Sequence, residues 1–529
     1  MAALSSLGLL LGTAPAGAEV TLAGDAATAF ETTVIAESLS QPTDVAVLPD
    51  GKVLVITRLG DVLVYAEPNG EPTEARVEIR ANPPAEQGLL GVVPDPNFAT
   101  NQFVYFYASM GDDVENRHHV VRYKLGADGM LSDETVVINM GLRGPANHNG
   151  GALDIHGGNL YIGVGDTGAN NTPPSNKFST CLNIANGKVL RVSLAEATLG
   201  QPADGNPLLE ETMVTGCDST GGELGMRAPE KRIYAWGFRN PFRLWVDPTN
   251  GKLWVGDVGE TTREEVSVGD SGHYGYPFFE GTTEYDQAFK PDGACSGITP
   301  GVECTPPAYD WDRGGGGTAI GGRILDGCGW PDTWKNRYIF GDYEQGEIKT
   351  IEVNATRDAA MAGSVQDFAS ADGVGAFRMG TDNALYIVEV DGGTVTRINP
   401  TGMAPAANSC PNVNDAPGAD PGVGGGGAGG GANAGSSPGG NSPGGNSPSG
   451  GNATGGKASG GTQGNPTAGT QNGTAGSNNG TAGTGSGGSS DSGCGCRAVG
   501  RPGSLALGLG ALVGALGLFQ LRRRSARRS

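Results

Sequence analysis

Between residues 25 and 405 the chain repeats one short pattern six times: a turn, a strand with an aromatic or aliphatic pair, a second turn, and a strand of alternating aliphatics. The copies read Gly51-Lys52-Val53-Leu54-Val55-Ile56 with Gly60-Asp61-Val62-Leu63-Val64, and Gln102-Phe103-Val104-Tyr105-Phe106-Tyr107 with Val120-Val121-Arg122-Tyr123. Asn159-Leu160-Tyr161-Ile162 follows with Gly187-Lys188-Val189-Leu190-Arg191-Val192, and then Gly251-Lys252-Leu253-Trp254-Val255. The last two are Asn336-Arg337-Tyr338-Ile339-Phe340 with Gly346-Glu347-Ile348-Lys349-Thr350-Ile351, and Asn383-Ala384-Leu385-Tyr386-Ile387 with Gly393-Thr394-Val395-Thr396-Arg397-Ile398. One copy in about 63 residues exceeds the ~40–50 of WD40 and kelch repeats, but suits four-stranded blades with long loops. A row of hairpins exposes strand edges unless it closes on itself, so the repeat predicts an all-β fold, a six-bladed β-propeller. A β-sandwich is the competing architecture, and it has no need of six similar hairpins.

Charge and the chain ends narrow the function classes. With 35 Lys+Arg against 56 Asp+Glu the net charge is −21, which leaves no basic footprint for nucleic-acid phosphates. The chain holds 93 glycines, and 30 of them fall in residues 411–493, a Gly/Ser/Asn/Pro-rich stretch without aromatics that cannot bury enough apolar surface to fold. It is expected to be a disordered linker with a reach of roughly 50 Å. Residues 1–18 combine Leu4, Leu7, Leu9, Leu10 and Leu11 with an Ala16-Gly17-Ala18 end, a signal-peptide pattern without its basic start. Leu505 to Leu521 is an uncharged run followed by Arg522, Arg523 and Arg524, the pattern of one transmembrane helix with a cytoplasmic tail. With Gly493-Cys494-Gly495-Cys496 before it, segment 494–529 resembles the C-terminal sorting tag of myxobacterial surface proteins. That resemblance implies an exported, surface-attached protein, anchored in the membrane or processed by a sorting protease. In an exported chain the remaining cysteines are read as disulfides, with Cys181–Cys217, Cys295–Cys304 and Cys328–Cys410 the expected pairs among the connectivities left open.

Propeller chemistry gathers on loops around the central mouth. Four segments there carry more polar and glycine residues than turns require: Glu86-Gln87-Gly88-Leu89-Leu90-Gly91, Asn147-His148-Asn149-Gly150-Gly151 with Gly165-Asp166-Thr167-Gly168, Gly237-Phe238-Arg239-Asn240-Pro241, and Gly256-Asp257-Val258-Gly259-Glu260 with Tyr274-Gly275-Tyr276-Pro277. In this order, over residues 35 to 400, they resemble the glucose/sorbosone dehydrogenase family, soluble aldose dehydrogenases that use pyrroloquinoline quinone (PQQ) and Ca²⁺ in a propeller mouth. The resemblance implies that His148 is the general base and Asp166 the carboxylate that orients it. It implies cofactor contacts from Gln87, Arg239 and Asn240, and Ca²⁺ on the main-chain carbonyls of Gly259 and Glu260. A sugar or sugar alcohol would be oxidised at a C–OH group.

Two departures bear on this reading. The family's Asp-His pair is Asn147-His148 here, and the Arg-x-Arg before the last-blade strand is absent, Arg378 falling several residues late. The cations for an anionic cofactor must then come from Arg239 and from Arg58, Arg143, Arg243 or Arg323. The alternative is a non-catalytic propeller that binds a glycan or a protein, similar to the hedgehog-interacting relatives of the family. A hydrolase has neither a Gly-x-Ser-x-Gly motif nor a close carboxylate pair to support it.

Overall fold

The structure, a computed structural model, describes residues 20–402 apart from residues 85, 112–117, 143–146, 169–174, 218–223, 288–294, 298–303 and 315. The expected leader, linker, Gly-Cys motif, membrane span and arginine tail lie outside the described residues, as do Arg143 and Cys410.

Six sheets form six blades, antiparallel throughout except for the parallel pairing of Gly272–His273 at the edge of the third. Blade 1 is Pro42–Val47, Val53–Thr57, Asp61–Tyr65 and Thr73–Arg76, and blade 2 is Leu89–Pro94, Phe103–Ser109, His118–Leu125 and Leu131–Asn139. Blade 3 is Leu153–His156, Asn159–Val164, Lys188–Ser193 and Ile233–Trp236, extended by Gly272–His273. Blade 4 is Pro241–Val246, Leu253–Asp257, Arg263–Gly269 and Pro307–Asp312. Blade 5 is Ala319–Leu325, Arg337–Asp342, Glu347–Glu352 and Gln366–Ser370, with Thr21–Leu22 on its outer edge. Blade 6 takes three strands from the end of the domain, Val374–Met379, Leu385–Glu389 and Thr394–Pro400, and its fourth, Phe30–Ala36, from the beginning. This shared blade closes the ring through main-chain hydrogen bonds, as the edge argument requires. The first strand of every blade packs against the first strand of the next, and that of blade 6 against blade 1.

The repeated hairpins are the second and third strands of the blades. Both faces of each sheet are covered by neighbouring blades, so apolar clusters fill all six gaps. Leu54, Val92 and Phe106 pack between blades 1 and 2, Leu153 and Ile162 with Tyr105 between 2 and 3, and Trp245, Trp254 and Tyr338 between 4 and 5. Each such side chain stabilises the fold by about 1.5–3 kcal/mol, which is why these strands read as nearly continuous apolar runs. The third strand of blade 4 escaped the sequence pattern because buried Glu264 and Glu265 stand where aliphatics recur elsewhere. Cys181–Cys217 and Cys295–Cys304 are bridged as expected, with Cα separations of 5.5 Å and 5.2 Å. Cys328 is also disulfide-bonded.

Candidate active site

In an antiparallel blade, the loop entering the first strand and the loop joining the second to the third emerge at the same end. The segments singled out in the sequence are of these two loop types or follow directly from one, except Tyr274-Gly275-Tyr276-Pro277, which lies between the third and fourth strands of blade 4 and brings the Tyr276 hydroxyl to Glu260. Residues 80–88 lead into blade 2, 147–152 into blade 3, 237–240 into blade 4 and 313–318 into blade 5. Asp166 lies between the second and third strands of blade 3, and Gly259 and Glu260 between those of blade 4. The ring therefore brings residues far apart in sequence to one mouth.

His148 is the centre of the arrangement. Its Nδ1 lies 2.7 Å from Asp166 Oδ1 and its Nε2 lies 2.9 Å from an Nη of Arg239. A guanidinium can only donate, so Nε2 carries the lone pair and Nδ1–H donates to Asp166. The side chain is 13% exposed, Asp166 3%. Asp166 Oδ1 also accepts the Gly168 N–H at 2.7 Å, which fixes that oxygen toward the ring. His148 itself has φ +50°, and its main-chain N–H donates to Glu86 Oε2 at 2.7 Å. Gly165 is required beneath it, since a Cβ there would lie 1.9 Å from the His148 carbonyl oxygen.

Arg239 is buried and donates to the Val258 carbonyl at 3.0 Å, with Glu260 at 3.9 Å from its Nε. Burial works against its charge, but Asp166, Tyr276, Glu260 and Asp257 outweigh it and hold the guanidinium above its ordinary pKa. The two oxygens of buried Asp257 accept the N–H groups of Arg239 and Asn240, at 2.9 and 2.7 Å. Burial raises the Asp257 pKa, opposed by those two N–H groups and by the Arg239 charge. Asn240 turns its side-chain oxygen to the Gly150 N–H at 3.0 Å, so it ties the Arg239 loop to the His148 loop.

Gln87 is fully buried. Its side-chain oxygen accepts from Arg80 at 2.7 Å and its carbonyl from Arg58 at 2.9 Å, while Nε2 has no hydrogen-bond partner among the described residues. Arg239 Nε is likewise without one. Two buried donors without hydrogen-bond acceptors among the described residues, one beside Arg58 and Arg80 and the other on the Arg239 guanidinium itself, fit an oxygen-rich anionic cofactor.

The calcium expectation meets a different geometry. The Gly259 carbonyl accepts a hydrogen bond from the Arg313 guanidinium, whose other partner is Glu264 at 3.1 Å. A guanidinium thus stands where the resemblance places Ca²⁺, so the carbonyl does not fit a metal as the chain is folded. Glu260 contributes its N–H to Glu280 and its carboxylate to the Tyr276 hydroxyl at 2.8 Å. Burial pushes Glu264 up to about 8 against the pull of Arg313 and the Ala319 and Gly259 N–H groups.

Among the arginines considered from sequence, Arg58 reaches the mouth through Gln87. Arg243 does not, being committed to the carbonyls of Thr43 and Gly375 on the ring axis. Arg323 is buried over Trp245, and Arg378 is paired with buried Asp44 at 2.9 Å. Arg80 and Arg313 escaped sequence reasoning, and Glu86 was singled out within its segment without a role of its own. Glu86 adjoins Gln87 and its role could have been found from that, whereas Arg80 and Arg313 lie in segments with no distinguishing pattern.

The glucose/sorbosone dehydrogenase family model matches residues 39–397. The aldose sugar dehydrogenase of Escherichia coli is 25% identical over 376 residues, covering 69% of this chain and 92% of that protein. Two solved structures share the fold. The PQQ-bound aldose sugar dehydrogenase of Streptomyces coelicolor is 21% identical with a TM-score of 0.51 over 70% of this chain and 99% of its own. The apo-form soluble aldose sugar dehydrogenase of Escherichia coli is 22% identical with a TM-score of 0.53 over the same shares. A six-bladed ring whose mouth holds His148 between Asp166 and Arg239, matched over nearly all of its length, belongs to the glucose/sorbosone dehydrogenase family, oxidoreductases acting on sugar CH–OH groups.

Proposed function

We propose that the chain is a PQQ-dependent dehydrogenase that oxidises the C–OH of an aldose or a related sugar alcohol, exported and held at the cell surface through its C-terminal segment. The observation that carries the reading is the His148 ring, fixed by Asp166 on one nitrogen and presenting a lone pair on the other. Gln87, Arg239, Arg58 and Arg80 would hold the cofactor, and Arg313 adds a further cation at the same mouth. When bound, the quinone supplies the hydride acceptor.

The chain supplies the proton acceptor and its setting. A substrate hydroxyl entering beside Nε2 displaces the Arg239 contact and gives its proton to that nitrogen as the carbon loses hydride, so the C–OH becomes C=O. Asp166 stabilises the imidazolium that forms, and its oxygen is already placed by Gly168, so little reorganisation is needed. Arg239, kept charged by the surrounding carboxylates, is then available to oxygens in the mouth. Surface attachment rests on the leader, tether and arginine-flanked apolar run.

The test is reconstitution. Apoprotein mixed with PQQ should reduce an acceptor dye with aldoses, and His148→Gln should abolish turnover while retaining the cofactor. Failure to retain PQQ at micromolar concentration would reject the reading in favour of a glycan- or protein-binding propeller.

A further inference from the structure

Lys188 opens the third strand of blade 3 and is wholly buried. Its Nζ donates to the carbonyls of Phe178 at 2.8 Å, Ser179 at 3.0 Å and Asn186 at 2.5 Å. All three partners accept, so the amine needs three N–H groups; a neutral amine has two, and its lone pair would face a carbonyl oxygen. Burial pulls the ammonium well below lysine's ordinary pKa, and the charge of Asp166 acts against that pull. The site therefore holds a positive charge whose carboxylate counterpart is the partner of the base. The hydrogen bonds lead to the same place. The Ser179 carbonyl also accepts the Gly237 N–H at 3.0 Å. Asn186, whose carbonyl meets Nζ, donates its side-chain N–H groups to the Asp166 carbonyl at 3.3 Å and the Thr167 hydroxyl at 3.0 Å. The Asp166 N–H in turn donates to the Arg239 carbonyl at 2.7 Å. Lys188 thus sits where the loop carrying Asp166 is laced to the loop carrying Arg239. The other ionisable groups around the Asp166 and His148 pair are Arg239 at Nε2, Glu86 on the His148 N–H, and Tyr276 and Asp257, both of which feel the charge of Asp166.

We propose that Lys188 is a positioning residue for the oxidation: it clasps the Asp166 loop to the Arg239 loop and supplies a buried positive charge that acts on Asp166, which keeps the His148 imidazole unprotonated until the substrate delivers its proton. This rests on the dehydrogenase reading given above. The Asp166 charge alone would draw a solvent proton onto His148 and remove the base. A cation behind Asp166 offsets that attraction, while the carboxylate oxygen still orients the ring. All three N–H groups of Nζ are taken by carbonyls, so Lys188 acts through Asp166 rather than on the substrate.

The test compares the full chain with Lys188→Met, which fills a similar volume without the charge or the donors. In PQQ-loaded protein the acid limb of kcat/KM against pH should move up by about half a pH unit or more, because removing a cation from behind Asp166 makes the imidazolium easier to form. A side chain that only held the loops together would lower the rate at every pH alike and leave the limb in place, and that result overturns the proposal. The His148 ring signal of the apoprotein, followed by NMR across pH, should show the same displacement with no quinone present. This arm decides Lys188 even where PQQ is not retained and the dehydrogenase reading fails; an unmoved His148 signal overturns the proposal. If Lys188→Met does not fold, the parent protein decides. Nitrogen NMR of lysine-labelled protein should show the Lys188 side chain as an ammonium at neutral pH that loses its proton at lower pH in Asp166→Asn. A neutral amine in the parent, or a Lys188 signal indifferent to Asp166→Asn, overturns the proposal.

Discussion

Replacing Asp166 gives the most discriminating test of the His148 assignment, because the structure separates the carboxylate's charge from its geometry. Asp166 Oδ1 accepts both His148 Nδ1 and Gly168 N at 2.7 Å. In Asp166→Asn the Gly168 N–H holds the amide oxygen in the same place, and Arg239 still donates toward Nε2, so the ring keeps its tautomer. The variant then loses the charge opposite the imidazolium and little else. A hydrogen bond to a charged group is worth about 1.5–3 kcal/mol, or roughly 10- to 150-fold in rate. This is less than the ~10⁴ lost by a serine-protease triad on the same change, where the amide imposes the wrong tautomer. In Asp166→Ala the orienting oxygen is gone, so the ring is free to rotate or to protonate Nε2. The loss should then approach the 10²–10⁴ that a general base supplies. Steady-state dye reduction by PQQ-loaded protein, with a single-turnover measurement of quinone reduction, reads both variants, and circular dichroism checks the fold. Equal losses in the two variants, or kcat within about threefold of the parent in both, would refute the argument that Asp166 orients the base.

Three further outcomes follow from the same geometry. Arg239→Lys should weaken PQQ retention by at least tenfold in an equilibrium titration, since an ammonium cannot span Val258, His148 and the mouth together; unchanged affinity would remove Arg239 from the cofactor site. Arg313→Gln should free the Gly259 carbonyl and give the apoprotein a melting temperature that rises with Ca²⁺, which the parent should lack; identical Ca²⁺ responses would show that Arg313 does not hold that position. Asp44 is buried, which pushes its pKa up, but the charges of Arg378 and Arg243 and the Val92 N–H hold it below the usual 3.8. The native state thus takes up this proton less readily than the unfolded chain, so its stabilisation is present above about pH 4 and lost as pH falls through the depressed value. Asp44→Asn should cost about 3–5 kcal/mol in urea unfolding at neutral pH, with the gap to the parent narrowing below pH 4; a gap independent of pH would refute the pairing.

Several features were legible because they are local or periodic. Five of the hairpins and one strand of the sixth could be read from alternating aliphatics bounded by glycines, and the bridges Cys181–Cys217 and Cys295–Cys304 join cysteines 36 and 9 residues apart. The motif loops carrying Gln87, His148, Asp166, Arg239, Asn240, Gly259 and Glu260 stood out by composition, and the structure gathers them at one mouth. What composition could not convey was partnership. Asn240 is a brace between loops, Gly259 meets a guanidinium, and Gln87 is flanked by two arginines.

The sequence by itself determined the all-β class, the number of blades and the loops that matter, because strand periodicity and turn residues act over a few residues at a time. The tertiary structure alone decided that Phe30–Ala36 completes the last blade, that Glu86 and Arg239 meet at His148, and that Arg313 occupies the Gly259 carbonyl. These partners lie 54 to 91 residues apart or at opposite ends of the domain. Only closure of the ring brings them within hydrogen-bond reach, and no local pattern encodes a distance set by the whole ring.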